Sequence, residues 1–298
     1  MKYGFGVDLG GTTVKIAYFD ETGKMLSKWE IPTRRENSGE KIIPDIADSV
    51  NRYRKENNIP DEELLGVGIG VPGAVVKGVV NRCVNLGWGV VPIEEELSKG
   101  TGLSVKASND ANVAALGEYW VGGGQGSENV IFITLGTGVG GGIILDGKLL
   151  NGTHGAGGEL GHIEISAPDK APCTCGKRGC VDAYCSAKVL SALTGGNLAL
   201  FFDGLRARDR TLQAAWDEYL AHLAVAVNNL RMIFDCDVIV GGYVGGFLSE
   251  FGAPLRELLA RHNTFEPDSS YLKFSRYQLE SSALGAALVH IESFIQSL

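Results

Sequence analysis

The sequence predicts an α/β protein of two lobes, and three observations favour this class. An apolar strand, a turn of glycine and threonine and a returning strand occur twice, near residues 10 and 137. Further apolar strands alternate with segments in which apolar residues recur at helical spacing. The 298 residues are close to the length at which one core divides into two domains. We therefore expect two lobes of similar build.

The charge balance argues against a polyanionic partner. Lys and Arg number 27 against 35 Asp and Glu, which gives a net charge of -8. This balance disfavours a nucleic acid or an anionic membrane and favours a small substrate. The cysteines follow no apolar signal region, and no apolar run approaches the ~20 residues that span a bilayer. We expect a reducing cytoplasm as the compartment.

The first hairpin has the composition of a phosphate-binding turn. The strand over residues 3–9 is followed by Gly10, Gly11, Thr12 and Thr13, and then by a second strand. Glycine N–H groups can approach a phosphate, threonines add hydroxyls, and Asp8 is suited to hold a hydrated magnesium ion. An ordinary glycine hairpin has the same pattern, so both interpretations stay open.

The next elements predict a sheet covered by a helix. Residues 40–57 form an amphipathic helix that should cover one face of the sheet. The apolar strand over 64–71 is broken by Pro72 and Gly73, which is typical of a parallel strand whose carboxyl end carries ligand contacts. The polar and aromatic loop over 81–89 either closes over a sugar or forms a plain surface turn.

An acidic residue stands where a strand meets a helix. Residues 105–108 predict a strand that leads into Asn109 and Asp110, and a helix follows. An Asp at this place is most often a cap, because its carboxylate accepts a free backbone N–H at the positive end of the helix dipole. A catalytic carboxylate is the alternative, and a second phosphate loop nearby favours it.

That second loop runs over residues 136–142. It follows a strand over 130–135 and precedes a strand over 143–145, so it repeats the first hairpin. The two turns together predict one nucleotide clamped between two phosphate loops.

The remainder of the chain is predicted to be mainly helical. A long helix runs from about 212 to 234, and a short strand over 238–240 delivers Gly241 and Gly242 in a third glycine loop suited to adenosine. Helices over 250–261 and 281–295 complete the fold.

The segment over residues 159–182 offers four metal ligands. They are His162, Cys173, Cys175 and Cys180. Zinc prefers such nitrogen and sulfur atoms, and Gly176 and Gly179 permit the tight turns that bring the sulfurs together. Buried thiols of a reduced chain are the alternative, although three cysteines within eight residues favour a metal. Four protein ligands leave no position for a catalytic water, so the predicted zinc is structural and fixes Glu159 and Asp182.

Five motifs resemble those of the ROK family of bacterial sugar kinases and repressors. They are D-L-G-G-T at 8–12, N-D-A-N-V-A-A at 109–115, L-G-T-G-V-G-G-G at 135–142, E-L-G-H at 159–162 and C-T-C-G-K-R-G-C at 173–180. The resemblance covers nearly all of the chain and is nearest to bacterial glucokinases, through V-N-L-G-W at 84–88 among others. It implies the two-lobed actin-like ATPase (ribonuclease H-like) fold, with a nucleotide and sugar cleft between the lobes. The implied lobes are 1–118 with about 283–298, and 119–282.

The resemblance also implies roles for individual residues. Asp110 matches the base that takes the proton from a sugar hydroxyl as it attacks the γ-phosphate of ATP. Sugar contacts are implied for Gly73, Asn109, Asp110, Glu159, His162 and Asp182. Contacts with ATP and Mg²⁺ are implied for Asp8, Gly10, Gly11, Thr12, Thr13, Lys15, Gly136, Thr137, Gly138, Gly241 and Gly242. His162 would bind zinc with one ring nitrogen and the sugar with the other.

The implied activity is ATP-dependent phosphorylation of glucose to glucose 6-phosphate by a homodimer or homotetramer. Another hexose or an N-acetylhexosamine as substrate (N-acetylglucosamine, N-acetylmannosamine, allose or fructose), or polyphosphate as donor, stays open. The family's repressors carry a DNA-binding domain before the core, and Asp8 lies too near Met1 for that domain. A non-catalytic sugar sensor is a third possibility, which the intact Asp110 and glycine loops argue against.

One residue departs from the family pattern. Asp182 stands where the family usually has Glu, two residues after the last zinc cysteine, and its side chain is one methylene shorter. It either contacts the anomeric end of a sugar or caps the helix expected near Ala183. The motifs therefore indicate the reaction class more closely than the sugar.

Overall fold

The computed structural model describes most of the chain, in two compact units. The described residues are 1–81, 83–153, 156–165, 171–262, 265, 268–275 and 285–286. Unit 1 comprises Met1–Val121, Asn151–Gly157 and the described part of Glu280–Leu298, and unit 2 comprises Gly122–Leu150 and the described part of Gly158–Leu279.

Unit 1 is built on a mixed sheet of five strands in its described part. The strands are β1 (Tyr3–Leu9), β2 (Thr13–Asp20), β3 (Met25–Pro32), β4 (Leu64–Val71) and, after the short hairpin of β5 (Val75–Val76) and β6 (Val79–Val80), β7 (Val105–Asn109). Their order across the sheet is β3-β2-β1-β4-β7. The first three pair antiparallel, and β4 and β7 run parallel to β1. This confirms the predicted glycine hairpin and the parallel strand.

The helices of unit 1 cover this sheet. They are α1 (Glu36–Gly39), α2 (Ile42–Glu56), α3 (Ile93–Thr101) and α4 (Asp110–Val121). The apolar stripe of α2, which includes Ile42, Ile46 and Val50, is buried in one core with the strands, as its spacing predicts.

The C-terminal residues that the structure describes pack very closely in unit 1. A Cβ on Gly285 would lie 1.4 Å from the carbonyl oxygen of Val113, and a Cβ on Gly68 would lie 1.5 Å from that of Ala286. Both glycines are therefore required by the approach of two backbones. The predicted helix over 281–295 otherwise lies outside the described residues.

Unit 2 repeats the sheet of unit 1. Its described strands are β8 (Val130–Leu135), β9 (Val139–Leu145), β10 (Lys148–Leu149), β11 (Asp237–Gly241) and β12 (Leu272–Phe274). They lie in the order β10-β9-β8-β11-β12, with β8, β9 and β10 antiparallel and β11 and β12 parallel to β8. Two units of similar build are thus confirmed.

The returning strand of the second hairpin is longer than predicted. It begins at Val139 and not at residue 143, so Gly140 to Gly142 are strand residues and not part of the turn. A Cβ on Gly141 would lie 2.4 Å from the Leu160 side chain. The glycine there serves close packing, which the sequence pattern does not distinguish from a flexible loop.

The helices of unit 2 share one core with alternate residues of its strands. Those described are α5 (Val181–Cys185), α6 (Ala187–Ser191), α7 (Leu198–Arg206), α8 (Arg210–Phe234), α9 (Gly242–Gly245), α10 (Leu248–Phe251) and α11 (Ala253–His262). The long helix α8 begins after Asp209, whose carboxylate accepts hydrogen bonds from the N–H groups of Thr211 and Leu212 at 2.8 and 3.1 Å. In the described chain no single helix is long and apolar enough to cross a bilayer, and one helical pair, Val181–Thr194 with Leu198–Arg206, meets that criterion only with a bend of 80°.

The helix predicted over 250–261 is two helices. Gly252 separates α10 from α11, and a Cβ there would lie 2.4 Å from the carbonyl oxygen of Leu248 and 2.9 Å from the Phe274 ring. The chain turns at this glycine because only a residue without a side chain fits.

The structure contradicts the prediction of a third glycine loop at Gly241 and Gly242. Gly241 ends β11 and Gly242 starts the short helix α9, so both belong to regular elements and both are buried. Gly242 has a positive φ of 80°, and a Cβ on it would lie 2.6 Å from both the nitrogen of Leu135 and Oγ1 of Thr134. This glycine permits the turn from strand to helix directly against β8.

Replacing Gly242 by Ala should lower the free energy of unfolding by about 2 kcal/mol or more, because the new Cβ meets backbone atoms in a left-handed conformation. Thermal and urea unfolding measure this loss. Gly245 is the matched control on the same helix, since its Cβ would lie 3.4 Å from the nearest atom. Equal stability of the two variants would contradict the close packing at Gly242.

Candidate active site

The predicted ligand residues of unit 1 meet at one edge of its sheet. In the parallel register Asp8 lies opposite Gly70, and Val71 lies opposite Asn109. The carboxyl ends of β1, β4 and β7 therefore bring Asp8, the turn at Gly73 and Asn109 to neighbouring positions. Small ligands bind at such edges of α/β sheets.

Asn109 joins two parts of this edge. Its Oδ1 accepts hydrogen bonds from the N–H groups of Ala111 and Asn112 at 2.9 and 3.3 Å, and its Nδ2 donates to the carbonyl of Gly73 at 3.3 Å. Asn109 therefore occupies the N-cap position of α4 that the sequence suggested for Asp110.

Asp110 is the first residue of α4. Its Oδ1 lies 2.8 Å from the nitrogen of Ala111, at the positive end of the helix dipole, which stabilises a carboxylate. Because Asn109 already accepts the free N–H groups of this first turn, the helix start does not depend on Asp110. Asp110 is therefore a candidate for the catalytic carboxylate that the sequence suggested as the alternative to a cap.

The described part of the loop, residues 83–89, lies against the same edge. The Cys83 thiol donates to the carbonyl of Pro72 at 2.9 Å, and Cys83 and Trp88 exchange two backbone hydrogen bonds of 3.0 Å. Burial raises the pKa of Cys83, and the nearby Asp110 carboxylate raises it further. Trp88 is buried in the core of unit 1, so the loop is an anchored turn whose aromatic ring faces inwards.

The first glycine turn is held by its own backbone and by a threonine. Gly10 donates to the carbonyl of Thr13 at 3.1 Å, and Thr33 binds the turn twice, through its Oγ1 to Gly10 at 2.8 Å and its N–H to Thr12 at 2.9 Å. Thr12 is exposed. Thr33 stands outside every motif, so sequence reasoning missed it.

Asp8 stands near the end of β1, two residues before this turn, and lies opposite Lys15 in the pairing of β1 with β2. Burial raises the pKa of the Asp8 carboxyl, and the Lys15 ammonium acts in the opposite direction. A carboxylate that is buried from solvent is stabilised in its charged form by a nearby divalent metal ion.

The second glycine turn is anchored by the segment that follows the cysteines. Gly136 donates to the carbonyl of Gly138 at 3.0 Å, while Thr137 and Gly138 are exposed. The carbonyl of Gly136 accepts from the N–H of Ala187 at 2.8 Å. Gly241 and Gly242 lie beside this turn, because β11 pairs with β8.

Asp182 binds the second turn directly. Its Oδ1 accepts the N–H of Val139 at 2.6 Å. The alternative of a helix cap is wrong, because α5 begins at Val181 after Cys180 and has no side-chain cap. The sequence offered no signal for this hydrogen bond, which joins residues 43 positions apart.

The four predicted metal ligands form one cluster in unit 2. The ligand atoms of His162, Cys173, Cys175 and Cys180 all lie within 4.8 Å of one another. Gly176 and Gly179 have positive φ values of 89° and 82°, as the tight turns of this loop require. The carbonyl of Glu159, an exposed residue, accepts the N–H of His162 at 3.1 Å, so it is directly linked to the cluster.

The distances and the donor chemistry fit a tetrahedral zinc ion. With Zn–S bonds of ~2.3 Å, two thiolates on one zinc lie about 3.8 Å apart. The sulfurs of Cys175 and Cys180 are 3.8 Å apart, and Nδ1 of His162 is 3.7 Å from the sulfur of Cys173. Burial raises the pKa of Cys180 to about 12, a cost that a divalent cation would offset. Nε2 of His162 lies on the other side of the ring.

Comparison with known proteins identifies relatives over most of the chain. The family model described as ROK family matches residues 4–292. A glucokinase of Halalkalibacterium halodurans is 37% identical over 279 residues, which are 86% of this chain and 84% of that protein.

Solved structures of ROK family proteins also match this chain. A ROK hexokinase from Thermus thermophilus matches with a TM-score of 0.84 and 30% identity, over 99% of this chain and 100% of that chain. A ROK family glucokinase from Streptomyces griseus, solved in complex with glucose and AMPPNP, matches with a TM-score of 0.78 and 30% identity, over 96% and 98% of the two chains. The shared fold is the actin-like ATPase fold. Because the family model spans nearly the whole chain and a relative at 37% identity covers most of it, the chain belongs to the ROK family.

Proposed function

We propose that this protein transfers the γ-phosphoryl group of ATP to glucose and forms glucose 6-phosphate. The observation that carries the proposal is Asp110, which starts α4 beside the hydrogen-bonded pair of Asn109 and Gly73. The similarity to a glucokinase and to a kinase solved with glucose and AMPPNP supports the same substrates.

Asp110 acts as the general base in this proposal. As the sugar hydroxyl oxygen bonds to the γ-phosphorus, its proton passes to the Asp110 carboxylate, the bond to the β-phosphate oxygen breaks and ADP leaves. Asn109 and the Gly73 backbone orient the sugar on the same edge of the sheet. Glu159 and Nε2 of His162 supply further sugar contacts. Positioning of this kind accounts for much of the rate of phosphoryl transfer.

The glycine turns are the proposed nucleotide contacts. The exposed residues of both turns, Thr12 and Thr137 with Gly138, offer N–H and hydroxyl donors to the phosphates. Asp8, with Lys15 beside it, is the proposed holder of Mg²⁺, which when bound neutralises phosphate charge. Gly241 and Gly242, next to the second turn, stay the predicted adenosine contacts through their backbone.

A structural zinc is part of the proposal. His162 through Nδ1 and the three cysteines of the cluster would hold it, and four protein ligands leave no position for a reacting water. The metal would fix His162 and, through its backbone, Glu159 in place for the sugar. A cytoplasmic homodimer or homotetramer stays a prediction.

The proposed function is tested by ADP release with a panel of sugars. Glucose should give the highest kcat/KM with ATP among glucose, mannose, allose, fructose, N-acetylglucosamine and N-acetylmannosamine. Polyphosphate in place of ATP tests the donor. A higher kcat/KM for an N-acetylhexosamine would replace glucose as the substrate, and sugar binding without ADP release would indicate a sensor.

A further inference from the structure

We propose that Asp182 is a positioning residue for the nucleotide-binding turn at Gly136 to Gly138, and that it is not a sugar ligand. The inference rests on the proposed function, in which this turn binds the phosphates of ATP. It assigns to this chain's Asp a task that differs from the sugar contact implied by the Glu of its relatives.

The first argument is the hydrogen bond itself. Val139, the residue that follows the turn, is 8% exposed, so its N–H has little access to water. Oδ1 of Asp182 accepts this N–H at 2.6 Å, and a hydrogen bond to an ionised carboxylate is stronger than one to a neutral acceptor. A carboxylate committed to a buried backbone donor has one oxygen fewer for a sugar, and removing it leaves that donor unsatisfied.

The second argument is that the turn is held at both ends by one segment. Asp182, on α5, binds the backbone after the turn, and Ala187, the first residue of α6, donates to the carbonyl of Gly136 before it. Thr137 and Gly138 between these anchors are exposed. The conformation of the exposed N–H groups is therefore set by residues 182–187.

The third argument concerns side-chain length. A Cβ on Gly138 would lie 2.9 Å from Oδ1 of Asp182, so the carboxylate occupies the space beside this glycine. Asp reaches the N–H of Val139 from its place in α5. A Glu at 182 would carry its carboxylate about one C–C bond further, past this donor. Glycine at 138 and Asp at 182 thus fit each other.

The fourth argument links the turn to the metal cluster. Asp182 follows Cys180 by two residues, and Gly161 precedes His162. A Cβ on Gly161 would lie 2.0 Å from the carbonyl oxygen of Val139, so this backbone packs directly on the same residue. The segments that carry Cys180 and His162 therefore both contact Val139. Asp182 accepts its N–H, and Gly161 packs against its carbonyl oxygen.

The experiment compares Asp182→Ala, Asp182→Asn and Asp182→Glu. Asp182→Ala should raise the KM for ATP about tenfold, as expected for a lost charge-assisted bond, while the KM for glucose changes less than about twofold. Asp182→Asn keeps an acceptor oxygen and should restore most of the ATP affinity. Asp182→Glu should raise the KM for ATP. Amide hydrogen exchange over 136–141 in the free protein should be faster in the Ala variant.

Asp209→Ala is the matched control. It removes another carboxylate that accepts backbone N–H groups, at the start of α8. It should lower the melting temperature and leave both KM values unchanged. If Asp182→Ala behaves in the same way, or raises the KM for glucose alone, the positioning role is wrong. If Asp182→Ala does not fold, the KM values for ATP and glucose of the Asn and Glu variants test the positioning role instead.

Failure of the proposed function has a different signature. A wild-type protein that releases no ADP with any sugar would refute the kinase activity. The hydrogen exchange of the turn is measured without substrate and would still report whether Asp182 holds it, so the two failures are distinguishable.

Discussion

Asp110→Asn should lower kcat for glucose phosphorylation by about a hundredfold or more, the typical effect of losing a general base. The Asn side chain has the same shape but cannot take the proton of the sugar hydroxyl. The KM for glucose should change less than about threefold, because hydrogen bonding to the sugar is retained. A coupled assay for ADP measures both quantities, and calorimetric titration measures the affinity for glucose directly.

The fold should survive this substitution. Asn109 accepts the free N–H groups at the start of α4, so the helix keeps its cap. Asp203→Asn makes the same chemical change at an exposed residue of α7 in unit 2 that is not among the proposed ligand contacts, and it should leave kcat unchanged. Near-normal turnover of Asp110→Asn together with early melting would assign Asp110 a structural role.

Cys175→Ser should remove zinc and lower the melting temperature by about 10 °C or more, because metal binding contributes directly to folding. Cys175 is the exposed ligand of the cluster, so the change costs little packing. The KM for glucose should rise as well, since His162 and Glu159 lose their support. Elemental analysis, thermal unfolding and kinetics measure the three effects.

Cys236→Ala provides the control for metal content. Cys236 is buried outside the cluster, and its variant should retain one zinc per chain even if it is less stable. Treatment of the wild type with a chelator should reproduce the Cys175→Ser result. A wild-type protein that contains no zinc when purified without chelator would refute the metal site.

The sequence predicted the elements whose signals are local. The hairpin of β1 and β2, the strand β4 and the helix α2 were predicted within two residues, because periodicity and glycine turns mark them directly. The convergence of His162, Cys173, Cys175 and Cys180 was also predicted, since their spacing itself restricts the geometry; the zinc ion stays a prediction. In these cases the residues that determine the structure are close together in the sequence, so a local pattern is enough to predict it.

The sequence misled where a glycine serves packing between distant segments. The sequence pattern predicted loop or helix positions for Gly141, Gly242 and Gly252. In the structure a glycine is required at each position, because other atoms of the chain lie too close for a side chain. Neither the hydrogen bond from Val139 to Asp182 nor the support of the first turn by Thr33 has a local pattern. Such contacts are set by the tertiary fold, so a single sequence does not reveal them.

The close approach of Gly285 and Ala286 to Val113 and Gly68 constrains the order in which the chain can fold during translation. Unit 1 contributes the first strands to leave the ribosome, yet two of its tightest backbone contacts involve residues synthesised after all of unit 2. A nascent chain therefore carries an incomplete unit 1 while unit 2 emerges. Domains that are contiguous in sequence can fold one after another, whereas here the native packing of unit 1 is completed after the polymerisation of unit 2.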